Sequence, residues 1–112
     1  MEVKTTSSPF GSRARTLVLL ALRLLVESYP RELERLLGIP LSGVQRALGS
    51  LESDGLVAAR AVGRTRMYRL DPRYFAHEDL QRFLLRLSEP EEELRSRIEA
   101  LRRRPRRSGK PL

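Results

Sequence analysis

The chain is 112 residues long, near the common size of one domain, so a single core with tails is the limit. Lys and Arg number 22 against 14 Asp and Glu, giving a formal net charge of +8 and a pI of about 11.1, a balance suited to a polyanionic partner. The absence of cysteine excludes disulfides and thiolate metal sites, a lone His77 cannot build a multi-ligand site, and no metal or cofactor is expected.

Of the 22 cations only Lys4 and Lys110 are lysine; the arginine bias suits bidentate phosphate contacts and equally follows from a genome's base composition. Residues 1–9 form a polar leader, expected to be flexible, without the apolar core of a signal peptide. The longest apolar stretch falls far short of the roughly 20 residues that span a bilayer. The expectation is a cytoplasmic protein with no membrane partner.

Arg13 to Ser28 reads as the first helix, with Leu17, Leu20, Ala21, Leu24 and Ser28 on one face at spacings of three and four. Val18, Leu19, Leu22, Leu25 and Val26 fill the remaining surface, so only Arg23 is charged between Thr16 and Val26. A helix apolar all round must be covered on both sides. Later segments of the same chain or a second copy can do this; the reading favours a homodimer, with Leu19, Leu22 and Val26 in its interface.

Tyr29-Pro30 ends that helix and opens the next, Pro30 to Leu37, because proline disfavours helical geometry in the residue before it and fits a first turn. Leu33, Leu36 and Leu37 form its apolar stripe, and Gly38 follows where a left-handed residue is expected. A third helix runs from about Leu41 to Asp54, closed by Gly55, with Val44, Ala47, Leu48 and Leu51 as the buried stripe. Ser42, Gly43, Gln45, Arg46, Gly49 and Ser50 lie off the stripe and are the residues that a groove-inserted helix would show to DNA. For Gly43 the favoured reading is close approach to the second helix.

Leu56 to Val62 and Arg66 to Leu70 alternate in part and are joined by Gly63-Arg64-Thr65, a hairpin pattern. Arg60, Arg64, Arg66 and Arg69 fall on its exposed edge and tip, while Val57, Val62, Met67, Tyr68 and Leu70 are the packing residues. Beyond Asp71-Pro72, His77 to Leu87 predicts a helix with the stripe Leu80, Phe83, Leu84 and Leu87, and His77 reads as a neutral surface histidine. Ser88 and Glu91 suggest a capping box opening a last helix from about Glu89 to Arg104, whose stripe is Leu94, Ile98 and Leu101. That stripe either pairs with its mate in a second subunit or folds back on its own domain; pairing is slightly favoured. Residues 105–112 are Pro/Gly-interrupted and basic, expected to be a disordered tail able to touch DNA non-specifically.

The order of these parts predicts a mainly α fold with a small β-hairpin wing: a winged helix-turn-helix over residues 10–88 with an added C-terminal helix over 89–104. The stretch Phe10 to Arg15, the Arg31-Glu32-Leu33 opening, the run Val44 to Val57 and the Tyr68-Arg69-Leu70 strand together resemble ArsR-like winged-helix transcriptional regulators. The resemblance covers roughly residues 10 to 88, and its most specific part is the Leu-Glu-x-x-Gly-Leu-Val exit of the third helix followed by an Arg-rich wing. It implies a bacterial or archaeal dimeric repressor whose first and last helices form the dimer interface and whose third helix reads an inverted repeat. Two departures stand out. The cysteine and histidine clusters of metal-sensing members are missing, and Gly49 and Ser50 occupy positions that are often basic in similar sequences.

The leading functional expectation is a regulator of transcription bound to double-stranded DNA. Ser42, Gln45 and Arg46 face base edges, and Arg60, Arg64, Thr65 and Arg66 meet the backbone. Leu19, Leu22, Val26, Leu94, Ile98 and Leu101 are its expected dimer contacts. The alternative is a winged-helix protein-interaction module that reads no groove. An enzyme is not expected, since no Ser/His/Asp set, Cys nucleophile or Gly-rich phosphate loop is present. The sequence names no operator, regulated gene or effector.

Overall fold

The computed structural model describes residues 2–5 and 7–103; Arg104 and the expected basic tail, 105–112, lie outside them. Among the described residues, five helices and three strands follow one another as α1 (Arg13–Leu25), β1 (Glu27–Ser28), α2 (Pro30–Leu37), α3 (Leu41–Ser53), β2 (Val57–Val62), β3 (Thr65–Leu70), α4 (His77–Ser88) and α5 (Glu92–Arg103). The strands form one antiparallel sheet in the order β1-β3-β2.

Ser12 caps α1, its Oγ accepting from the Arg15 N–H at 3.1 Å, which supplies one of the partners that a first helical turn lacks. Leu17, Val18, Leu19, Leu20, Ala21 and Leu22 are all fully buried within the single chain. This corrects the expectation of a second copy against Leu19 and Leu22: α2, α3, α4, α5 and β3 all pack on α1, so both of its faces are covered internally. Leu94 and Ile98 are buried in the same core, because α5 folds back on α1 and α2. Of the six expected dimer contacts, only the 70%-exposed Val26 and the half-buried Leu101 keep accessible surface.

The first helix also ends earlier than its periodicity suggests. Val26 has φ 76°, the only positive value outside glycine among the described residues, and there the chain leaves the helix. Glu27 and Ser28 then pair with Arg69 and Tyr68 of β3. A β-branched residue at such a φ costs on the order of 1–3 kcal/mol, offset by the pairing and core contacts it permits.

The α2 boundaries follow their local signals. Pro30 sits in the first turn, Gly38 takes φ 71°, and its N–H donates to Glu34 O at 2.9 Å. At the end of α3, Gly55 at φ 80° donates to Glu52 O and Leu56 donates to Leu51 O, both at 3.0 Å, the paired bonds of a Schellman motif. The hairpin turns through Gly63-Arg64, with Val62 opposite Thr65, so Thr65 belongs to the strand rather than the loop. Val57, Tyr68 and Leu70 are buried as expected, whereas Val62 lies near the tip and is exposed.

Two further expectations change. The leader is anchored at Val3, which is fully buried and donates its N–H to Leu37 O at 2.9 Å, covering the end of α2. Ser88 remains the last residue of α4 and donates Oγ to Leu85 O at 2.6 Å, so it does not cap α5. Glu91 is instead buried and accepts from Thr5 Oγ1 at 3.1 Å, tying the leader to the start of α5.

Candidate nucleic-acid interface

Burial of Val44, Ala47, Leu48 and Leu51 fixes the rotation of α3 about its axis and turns Ser42, Gln45, Arg46 and Gly49 outward at spacings of three, one and three. All four are exposed, and Arg46 has no ion-pair partner among the described residues. The structure thus brings Ser42, Gln45 and Arg46 together on one free face. Ser50, the next outward position, accepts a hydrogen bond from Arg15 Nη1 at 2.5 Å, while Arg15 Nη2 pairs with Asp54 Oδ2 at 2.8 Å. Arg15 Nε also donates to Phe10 O at 2.8 Å, so one guanidinium joins the entry to α1 with the last turn of α3.

Gly43 has a local steric reason. A Cβ there would stand 3.1 Å from Ile39 Cγ2, in the turn between α2 and α3 rather than on α2 itself. Gly49 has no such neighbour: apart from its chain neighbours and the backbone of its own helix, no atom of the described residues lies within 4 Å of its ideal Cβ position.

The wing arginines divide by the pleat. Arg60 pairs across the ladder with Met67, and Ala58 with Arg69, which puts Arg60 and Arg69 on one face with Thr65. Arg66 pairs with Ala61, one step out of phase, and shares the opposite face with Tyr68. Arg60 and Arg66 therefore point to opposite sides of the hairpin, and Arg64 occupies the turn between the strands.

Two of these arginines are engaged by carboxylates. Arg60 is bidentate on Glu27, Nε to Oε2 at 2.9 Å and Nη2 to Oε1 at 3.0 Å. Arg66 Nη2 donates to Glu52 Oε2 at 3.0 Å, and its Nε donates to Tyr68 Oη at 3.1 Å. The Tyr68 hydrogen bond, followed by the charge attraction of Tyr68 and of Glu52, raises the Arg66 pKa above its usual value. The turn residue Arg64 is exposed and has no ion pair among the described residues.

Sequence reasoning missed Glu27, Glu52 and Arg15. By periodicity Glu27 belongs to the first helix, and only its strand pairing brings it to Arg60. Glu52 is an ordinary surface position until the hairpin folds back beside α3. No sequence-local signal marks either pairing.

Among the described residues, no group of three His, Cys, Asp or Glu side chains is arranged to hold a metal ion. The ring of His77 at the start of α4 is half-buried, and its Nδ1 has no hydrogen-bond partner among the described residues. No described helix is long and apolar enough to cross a membrane.

No protein-family model matches the chain, and no curated protein matches it in sequence. Solved structures do match in shape. A MarR-family transcriptional regulator from Silicibacter pomeroyi is 20% identical, with a TM-score of 0.56 over 87% of this chain and 61% of that one. The adhesin competence repressor AdcR from Streptococcus pyogenes is 15% identical, with a TM-score of 0.58 over 84% of this chain and 68% of that one. A MarR mutant from E. coli, complexed with operator DNA, is 21% identical, with a TM-score of 0.56 over 81% of this chain and 70% of that one. The chain thus spans between 61% and 70% of the length of these three structures. At these identities the likeness is one of architecture: five helices around a three-stranded sheet, with a helix-turn-helix and a hairpin wing, form a winged helix-turn-helix fold.

Proposed function

We propose that the chain is a DNA-binding transcriptional regulator, a repressor, that inserts α3 into the major groove and rests its wing on the flanking backbone. The observation that carries this reading is the free outward row Ser42, Gln45 and Arg46 on a helix presented by a helix-turn-helix. Gln suits adenine and Arg suits guanine at base edges, and the unpaired Arg64 suits a phosphate. The operator-bound MarR structure supports the reading by its shared architecture. The ArsR-like likeness of residues 44–57 and of Tyr68 to Leu70 supports it as well. With it go a homodimer on an inverted repeat, a cytoplasmic location and the absence of enzymatic activity. Within the dimer, Val26 and Leu101 are the remaining accessible members of the expected interface.

In-vitro selection of bound duplexes tests the whole proposal. An enriched inverted repeat is the expected result, with half-sites spaced as the two recognition helices are. No enrichment, together with binding that is insensitive to salt, rejects it. The second reading, a protein-interaction module, is favoured by one observation: Arg60 and Arg66 are already bound by carboxylates. Such a module shows no steep salt dependence toward duplex DNA.

A further inference from the structure

Of the four wing arginines, Arg60 and Arg66 have carboxylate partners, and they have them from two different elements. Glu27 comes from β1 and Glu52 from the last turns of α3. Both contacts are between partly exposed groups, with side-chain exposures of 59% and 28% for Arg60 and Glu27, and 56% and 38% for Arg66 and Glu52. They are therefore accessible to an incoming anion and weak enough to exchange. A carboxylate and a phosphate present the same two-oxygen edge to a guanidinium, so the two compete for one arginine fork.

We propose that Glu27 and Glu52 are built-in competitors of DNA phosphate, holding Arg60 and Arg66 out of the contact set until a phosphate displaces them. The proposal rests on the DNA-binding reading and extends it by naming what sets its affinity. An arginine that leaves a carboxylate for a phosphate gives up one ion pair to form another. It therefore adds little net affinity, whereas Arg64, exposed and without an ion pair among the described residues, contributes its full share. Counting wing arginines overestimates the phosphate contacts that stabilise the complex. Glu52 has a second consequence, because it belongs to the recognition helix. Its bond to Arg66, whose guanidinium Tyr68 also holds in place, links the wing to α3 in the free protein. Displacement by phosphate breaks that link as the wing engages DNA.

The test measures affinity for a random duplex at several salt concentrations. E27Q and E52Q should each bind about three- to tenfold more tightly than the unaltered protein, with a salt slope steeper by up to about one unit, the contribution of one phosphate contact. E99Q, which removes an exposed carboxylate on α5, controls for the change in net charge and should shift affinity by less than about twofold. R60A should cost less affinity in the unaltered protein than R64A does, yet undo the gain in E27Q, a coupling that neither net charge nor loss of structure produces. R66A should behave likewise against E52Q, with thermal unfolding of each variant confirming that the fold persists. Salt-dependent binding in which E27Q and E52Q merely match E99Q overturns the competition and leaves the DNA-binding reading standing. Equal losses for R60A, R66A and R64A in the unaltered protein do the same. Absence of salt-dependent binding by the unaltered protein overturns both.

Discussion

Arg15 on α1 reaches Asp54 at the end of α3, Nη2 to Oδ2 at 2.8 Å, and on the way donates to Ser50 Oγ and Phe10 O. The Arg15 side chain is only 19% exposed, so its three acceptors are held by a group that water largely does not reach. Helix α3 is thereby braced at its C-terminal end by a side chain from α1.

Replacing Arg15 with alanine is expected to lower unfolding stability by about 1.5–3 kcal/mol, the range for losing hydrogen bonds to a charged donor. Asp54 is largely exposed, so Asp54→Asn is expected to cost less. Urea unfolding of both variants checks the order, and a larger loss for Asp54→Asn contradicts the brace as described.

Leu94 on α5 is fully buried within one chain. Leu94→Ala should cost about 2–5 kcal/mol through lost burial and the cavity left behind. Because the seam is internal, that loss should not vary with protein concentration. A midpoint difference that grows on dilution would place Leu94 between subunits instead.

The two glycines of α3 should respond differently to alanine. Gly49→Ala meets open space and is expected to stabilise by about 0.5–1 kcal/mol, the usual helix preference for alanine. Gly43→Ala brings a methyl to 3.1 Å from the buried Ile39, so its gain should be smaller or absent. Equal thermal shifts for the two variants would show that Ile39 yields without cost.

Asp71, at the exit of the wing, accepts the backbone N–H of Arg73 on Oδ1 at 2.9 Å, and this bond is the main reason its pKa lies below the ordinary value of 3.8. A depressed carboxylate contributes stability above its unfolded pKa and loses that contribution as pH falls through the folded one. Asp71→Asn should therefore cost about 1 kcal/mol near neutrality. Its deficit should narrow as pH drops below about 4. Paired urea titrations at pH 7 and in this acid range check the sign; a deficit that is unchanged or wider in acid rejects it.

On DNA, Arg46→Ala should relax base preference and weaken a selected site on the order of tenfold, while leaving random duplex nearly unaffected. Arg64→Ala should weaken all duplexes alike and lower the salt slope by about one unit. Competition binding at two salt concentrations separates the two, and identical profiles would undo the division of roles.

The parts of the fold that depend on neighbours in the chain were legible without coordinates. Pro30 and Gly38 bound α2 from Pro30 to Leu37, Gly55 closes α3, and the stripe Val44, Ala47, Leu48 and Leu51 sets which side of α3 is free. These follow from backbone preferences and from the helical period, which act over a few residues. The same stripe fixes the occupants of the outer face of α3.

What covers α1, and which arginines are free, was decided only by the tertiary structure. An all-apolar helix requires cover on every side but does not encode its source; the return of α4 and α5 onto α1 supplied it from the same chain. Arg60 meets Glu27 across 33 positions, and Arg15 meets Ser50 across 35. Such pairs depend on how whole elements dock, and no short-range preference specifies them. Composition counted every cation alike, whereas docking leaves Arg46 and Arg64 unpaired among the described residues and binds Arg60 and Arg66 to carboxylates.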